Sequence, residues 1–155
     1  MKGIISMAFV VFVFLCSCSS DDGGGSTELQ GEEFIGTWEL TAINVSSAID
    51  ANNDGNTSTN LLDEVNCLQE TLMIDRTLMW TSNAVNVQLI TSITGNLYNV
   101  SCTDSQATSG NWGDDNGQLV LVGDTTRRFS FNGTLLTETI GNDLPGIQSF
   151  VYEKQ

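Results

Sequence analysis

From Phe34 to Tyr152 the apolar residues come in short runs broken by turn residues, and no apolar stretch keeps helical spacing over several turns. Val85, Val87, Leu89 and Ile93 alternate with Asn86, Gln88 and Ser92, the period-two pattern of a strand with one buried face. Similar runs cover residues 37–45, 70–74, 78–82, 85–93, 97–102, 118–122, 127–132, 134–140 and 147–152. Asn132-Gly133 between Phe131 and Leu135 signals a two-residue hairpin, and Gly95-Asn96 is a second candidate turn. Residues 60–68 alone have room for a short helical turn. Regularly spaced short strands without long helices predict an all-β protein, either a sandwich or an up-and-down barrel.

The first 33 residues have a different character. Lys2 precedes an apolar run over residues 4–15, interrupted by Ser6. That run falls short of the roughly 20 apolar residues of a membrane-spanning helix and suits the core of a signal peptide. Leu15-Cys16-Ser17-Cys18 resembles the lipobox of bacterial lipoproteins, with Cys18 as the acceptor. The resemblance implies cleavage after residue 17, acylation of Cys18 by fatty acids such as palmitate, and tethering by lipid alone. Residues 19–26 are acidic, then Gly-rich, without an apolar side chain to bury, and are expected to form a solvated flexible linker. Their acidic start resembles the signal that sends some lipoproteins to the outer face of the bacterial outer membrane; the periplasmic face is the alternative. The expected organisation is a signal peptide over residues 1–17, a linker over 18–33 and a single domain over 34–155, which at this length holds one core.

Nineteen acidic residues against five basic ones give a net charge of −14, which argues against nucleic acid and anionic membrane surfaces as partners. The chain has no His, so a Ser-His-Asp triad, a Cys-His pair and a His-ligated zinc site are excluded. Asp114, Asp115 and Asp124 are the nearest approach to a carboxylate pair for glycoside cleavage, but they lie in or beside Gly-rich turns where acidic residues serve solvation. Trp38, Trp80 and Trp112 are expected to pack in the core rather than stack on sugars. A non-enzymatic, monomeric protein is expected.

In residues 37–42, Trp38, Leu40 and Ala42 fall on one face and Thr37, Glu39 and Thr41 on the other. Gly36-Thr37-Trp38 at the first strand, the run of hairpins after it and the later Gly110-Asn111-Trp112 resemble the lipocalin-like domains of bacterial lipoproteins, over roughly residues 34–153. The resemblance implies an antiparallel up-and-down barrel of about eight strands, with Gly36 and Trp38 plugging one end and an interior able to hold one small hydrophobic ligand. It also implies a basic residue against the tryptophan, for which Arg127, Arg128 and Lys154 are candidates.

Two further constellations carry chemistry. With Cys16 removed and Cys18 acylated, Cys67 and Cys102 remain, and outside the cytoplasm they are expected to form a disulfide. Asp50, Asn52 and Asp54 place oxygen donors at positions 1, 3 and 5 of a loop with Gly55 at position 6, the opening half of an EF-hand-type calcium loop. Leu61 stands where the bidentate Glu is required. Glu64, with Asp63, is a candidate to close a longer loop, and Asn56 offers its carbonyl. Ca2+ is the one cofactor this pattern suggests, and a calcium-ordered adhesion or assembly module binding a protein or glycan is the alternative to ligand carriage. Asn, Asp and Gly are equally the residues of an ordinary turn.

Overall fold

The computed structural model describes residues 29–91, 98–141 and 146–155, with backbone alone at 86–91 and 98–100. The expected signal peptide, Cys18, most of the linker and the Gly95-Asn96 turn lie outside the described residues. A single turn of 3-10 helix, Glu32–Phe34, leads into β1 (Gly36–Ile49) and β2 (Ser58–Asn60). One short helix, α1 (Leu61–Glu64), is followed by β3 (Gln69–Ile74), β4 (Met79–Thr91), β5 (Tyr98–Asp115), β6 (Gln118–Val122), β7 (Thr126–Phe131), β8 (Leu135–Thr139) and β9 (Ile147–Lys154). From β3 to β9 each strand pairs antiparallel with its successor, and β1 pairs with both β3 and β9. Eight strands therefore close into an antiparallel barrel, which removes the open sheet edges, and β2 adds a ninth strand on β1. The topology is compatible with a lipocalin-like fold.

Local chemistry explains where the observed elements depart from the alternation. The runs at 78–82 and 85–93 join into one strand, β4, because its partner β5 runs on through the polar stretch from Thr103 to Ser109. That stretch lacks apolar alternation and is held by its ladder to β4. In β1, Trp38 is buried, but so are Ile43 and Val45 on the opposite parity, since pairing with β9 shifts between Leu40 and Ala42. A bulge there rotates the later half of the strand and removes Ala42 from the Trp38 face. The β7–β8 turn sits one residue later than Asn132-Gly133. Asn132 N donates to Leu135 O at 3.2 Å, and Gly133, at φ 102°, is the first central residue.

Antiparallel neighbours place alternate turns at opposite ends of the barrel. One end is closed by side chains: Phe34, Trp38 and Trp112 are buried there, with Phe131 edge-on to Phe34 at 5.5 Å and to Trp38 at 6.0 Å between ring centroids. The chain is packed from Gly31, earlier than the expected start at residue 34, because Phe34 is drawn under Trp38, whose Nε1 donates to Phe34 O at 2.8 Å. Gly36, at φ 143°, lies under Lys154, whose Cε would be 2.9 Å from any added Cβ. Of the three basic candidates it is Lys154 that covers the tryptophan, with Nζ 5.3 Å from the Trp38 ring and donating to Glu33 O at 2.8 Å. Gly110 meets an even tighter constraint, since a Cβ there would lie 1.9 Å from Val122 O.

At the other end, residues 50–68 fold over β1. Ile43, Val45, Ala51, Leu61 and Val65 form a second small core. Cys67, just before β3, is disulfide-bonded to Cys102 on β5, with Cα atoms 6.3 Å apart. The bridge spans 35 residues of sequence, and loop closure of that length contributes about 3–4 kcal/mol in the chain-entropy model. Reduction is expected to lower the melting temperature by roughly 10 °C. An unchanged thermal unfolding curve in reductant would show that the covering segment is held without the bridge.

Candidate functional site

Three inward positions of the barrel carry charge where alternation calls for apolar residues. Glu70 shares the face of Leu72 and Ile74 on β3, Arg127 that of Phe129 on β7, and Glu138 that of Leu136 on β8. They meet above the filled half of the barrel. Arg127 Nη1 donates to Glu70 Oε1 at 2.8 Å, while Nη2 and Nε donate to Glu138 Oε2 at 2.7 and 3.0 Å. Arg127 Nη2 also donates to the Tyr152 hydroxyl at 2.6 Å, and that hydroxyl donates to Glu70 Oε2 at 2.6 Å. Ser82 Oγ completes the set, donating to Glu70 Oε1 at 2.6 Å. The guanidinium lies 5.0 Å from the Phe129 ring centroid, so the apolar floor below also receives it favourably.

Burial alone would raise the Glu70 carboxyl, but the Arg127 charge and the bonds from Ser82, Tyr152 and Arg127 outweigh it and hold the group below the ordinary carboxylate range. Burial, reinforced by the Glu70 charge, pushes the Tyr152 phenol well above its ordinary value. A carboxyl lowered on folding contributes stability above its unfolded pKa, about 4.3, and loses it as pH falls through the folded value. A phenol raised on folding contributes below about pH 10 and loses that contribution at higher pH. Stability is therefore expected to be level between about pH 5 and 9 and to fall on both sides, with the acid limb shallower in Glu70→Gln. Urea unfolding across pH checks this.

Above the network lies a pocket of about 350 Å³, bordered by Glu70, Arg127 and Glu138 below and by Ala84, Ile140 and Phe150 together with the polar Gln106, Thr108 and Thr125 around it. A smaller hollow of about 110 Å³ adjoins it, lined mainly by Leu40, Ile43, Leu68, Ile147 and Phe150. The barrel is thus half filled: aromatic side chains occupy the closed end, a hydrogen-bonded polar layer crosses the middle, and the other end holds an open space over that layer with walls of mixed polarity.

The remaining candidates fall elsewhere. Asp114 Oδ1 accepts from Gly117 N in the β5–β6 turn, and Asp115 pairs with Arg128 on the outer surface. Asp124 lies in the β6–β7 turn at the opposite end of β6, so the three do not form a carboxylate pair. The indole N–H groups of Trp38, Trp80 and Trp112 all donate to backbone carbonyls, of Phe34, Val122 and Asp75.

In the loop after β1, Asp50 Oδ1 and Asn52 Oδ1 both accept from Asp54 N, at 3.1 and 2.8 Å, and Asp50 Oδ2 accepts from Gly55 N at 3.0 Å. Asp54 Oδ1 accepts from Asn56 N at 2.8 Å, which is the first cause of the lowering of its carboxyl. These bonds gather Asp50, Asn52, Asp54 and Asn56 into one curl, with Asn53 and Gly55 at positive φ. Glu64 is buried beneath it, its Oε2 accepting from Ala51 N at 3.1 Å. Among the described residues no group of three or more His, Cys, Asp or Glu side chains is arranged to hold a metal ion.

No protein-family model, curated protein or solved structure gives a significant match to the chain.

Proposed function

We propose that this chain is a lipid-anchored lipoprotein of the bacterial cell envelope, without enzymatic activity, whose lipocalin-like barrel binds a small hydrophobic molecule in its open half. The observation that carries the binding reading is the pocket of about 350 Å³ over the Arg127 network, walled by Ala84, Ile140 and Phe150 with Gln106, Thr108 and Thr125. Sites of this kind are concave and mostly apolar, with a few placed polar groups to orient the ligand. The likeness to lipocalin-like domains draws support from the closed antiparallel barrel and from Lys154 lying over Trp38 beside Gly36. Anchorage through Cys18, on the outer face of the outer membrane, draws its support from the lipobox-like Leu15-Cys16-Ser17-Cys18 and the acidic linker alone.

The test is a titration with N-phenyl-1-naphthylamine, a neutral apolar fluorophore. Saturable enhancement that disappears in Ala84→Trp, which fills the pocket from the strand position opposite Glu70, is the result this reading requires. Enhancement that is absent, or unchanged in the variant, removes it.

The alternative, a calcium-ordered adhesion or assembly module, draws its support from the spacing of Asp50, Asn52 and Asp54 before Gly55 alone. Calorimetry with Ca2+ separates it. Heat with a rise in melting temperature supports an ordering ion, and neither effect at millimolar calcium leaves a self-bonded turn.

A further inference from the structure

The polar layer under the pocket is electrically unbalanced. Glu70 and Glu138 contribute two negative charges and Arg127 one positive charge, and Tyr152 keeps its proton, so the layer carries one uncompensated negative charge. Glu138 is 8% exposed, and its Oε2 accepts both of its bonds from Arg127. Its Oε1 accepts no hydrogen bond from the described residues. Because no fully buried side-chain oxygen among the described residues lacks a partner, this oxygen opens onto the pocket that Glu138 lines.

We propose that the pocket takes a small amphiphile with a cationic amine head, its ammonium on Glu138 Oε1 and its apolar tail against Ala84, Ile140 and Phe150. The inference rests on reading the pocket as a ligand site. A net charge in a largely buried layer is costly, and an ammonium at this open oxygen supplies both the missing charge and the missing hydrogen-bond donor. A carboxylate ligand would instead raise the imbalance to two. The guanidinium does not offset this, since it is outnumbered by carboxylates and four of its hydrogen bonds are already made within the layer. The net charge of −14 attracts cations to the molecule as a whole in the same sense.

Competition against N-phenyl-1-naphthylamine at pH 7, using octylamine, octanol and octanoate, tests the head group with the tail held constant. Octylamine is expected to bind at least about tenfold more tightly than octanol, and octanoate more weakly than either. In Glu138→Gln the advantage of octylamine over octanol should fall to within about threefold. Should that variant fail to fold, Ile140→Lys at the pocket wall leaves the layer intact and should abolish the amine preference by repulsion. Equal binding of octylamine and octanol to the unaltered protein, or tightest binding of octanoate, overturns the amine assignment and leaves the pocket standing. If the fluorophore does not bind, the pocket reading fails with it.

Discussion

Arg127→Met is expected to destabilise the protein by about 3–5 kcal/mol, because it strands two buried carboxylates that the guanidinium now joins. Glu70 and Glu138 would then face a space without a cation, and each of the bonds to Arg127 would lose its donor. The Glu70 contribution to the pH dependence should change sign as well. With Arg127 present the Glu70 carboxyl is lowered and acid weakens the fold. Without it, burial dominates, the carboxyl is raised above its unfolded value, and stability should increase as pH falls through that raised value. Combining Arg127→Met with Glu70→Gln and Glu138→Gln should recover much of the loss, since removing a whole buried ionic set costs far less than removing one member. Urea unfolding of the single and triple variants at pH 5 and pH 7 measures all three effects. A single-variant loss under about 1 kcal/mol would mean that the layer is solvated rather than buried.

Trp38→Ala should cost about 3–5 kcal/mol and lower the melting temperature by on the order of 10 °C. The indole is fully buried, edge-on to Phe131 and under Lys154, so its removal opens a cavity that three elements would have to collapse into. It also strips Phe34 O of its donor at the entry to the barrel. Because the pocket lies at the opposite end, fluorophore affinity measured well below the melting temperature should stay within about twofold of the unaltered protein. A Trp38→Ala protein of undiminished stability that no longer binds would place the indole in the ligand site, contrary to the geometry.

The alternation of apolar and polar residues made the barrel legible. It located β6 to the residue and β1, β3, β7, β8 and β9 within a few residues, but it split β4 in two and reached only the first part of β5. It was silent over residues 103–109, where the polar half of β5 is held by its ladder to β4. It could not foresee the bulge after Leu40 either, because a bulge alters the parity of later residues without altering their types. The turn Asn116-Gly117, with both residues at positive φ, carried an evident hairpin signal that the Gly-rich surroundings obscured.

The candidate site was less legible than the fold. Arg127 drew attention only as a partner for Trp38, whereas Glu70, Glu138 and Tyr152 drew none. The readable signal was charge at inward parity: Glu70 with Leu72, Arg127 with Phe129, and Leu136 with Glu138, each on a separate strand. A single such residue is ambiguous on its own strand. Only the register, which sets Phe129 opposite Glu138 and Leu136 opposite Tyr152, brings opposite charges to one level. The Cys67–Cys102 disulfide, by contrast, followed from there being no other cysteine pair in the expected mature domain.

Native mass spectrometry of the protein purified from its own host, compared with the same sample after organic extraction, tests the half-filled barrel most directly. The expected result is one small apolar molecule per chain in the native sample, lost on extraction and absent from Ala84→Trp. A single bare-protein mass in all three samples, together with no binding of N-phenyl-1-naphthylamine, would contradict the ligand-binding role assigned to the open half.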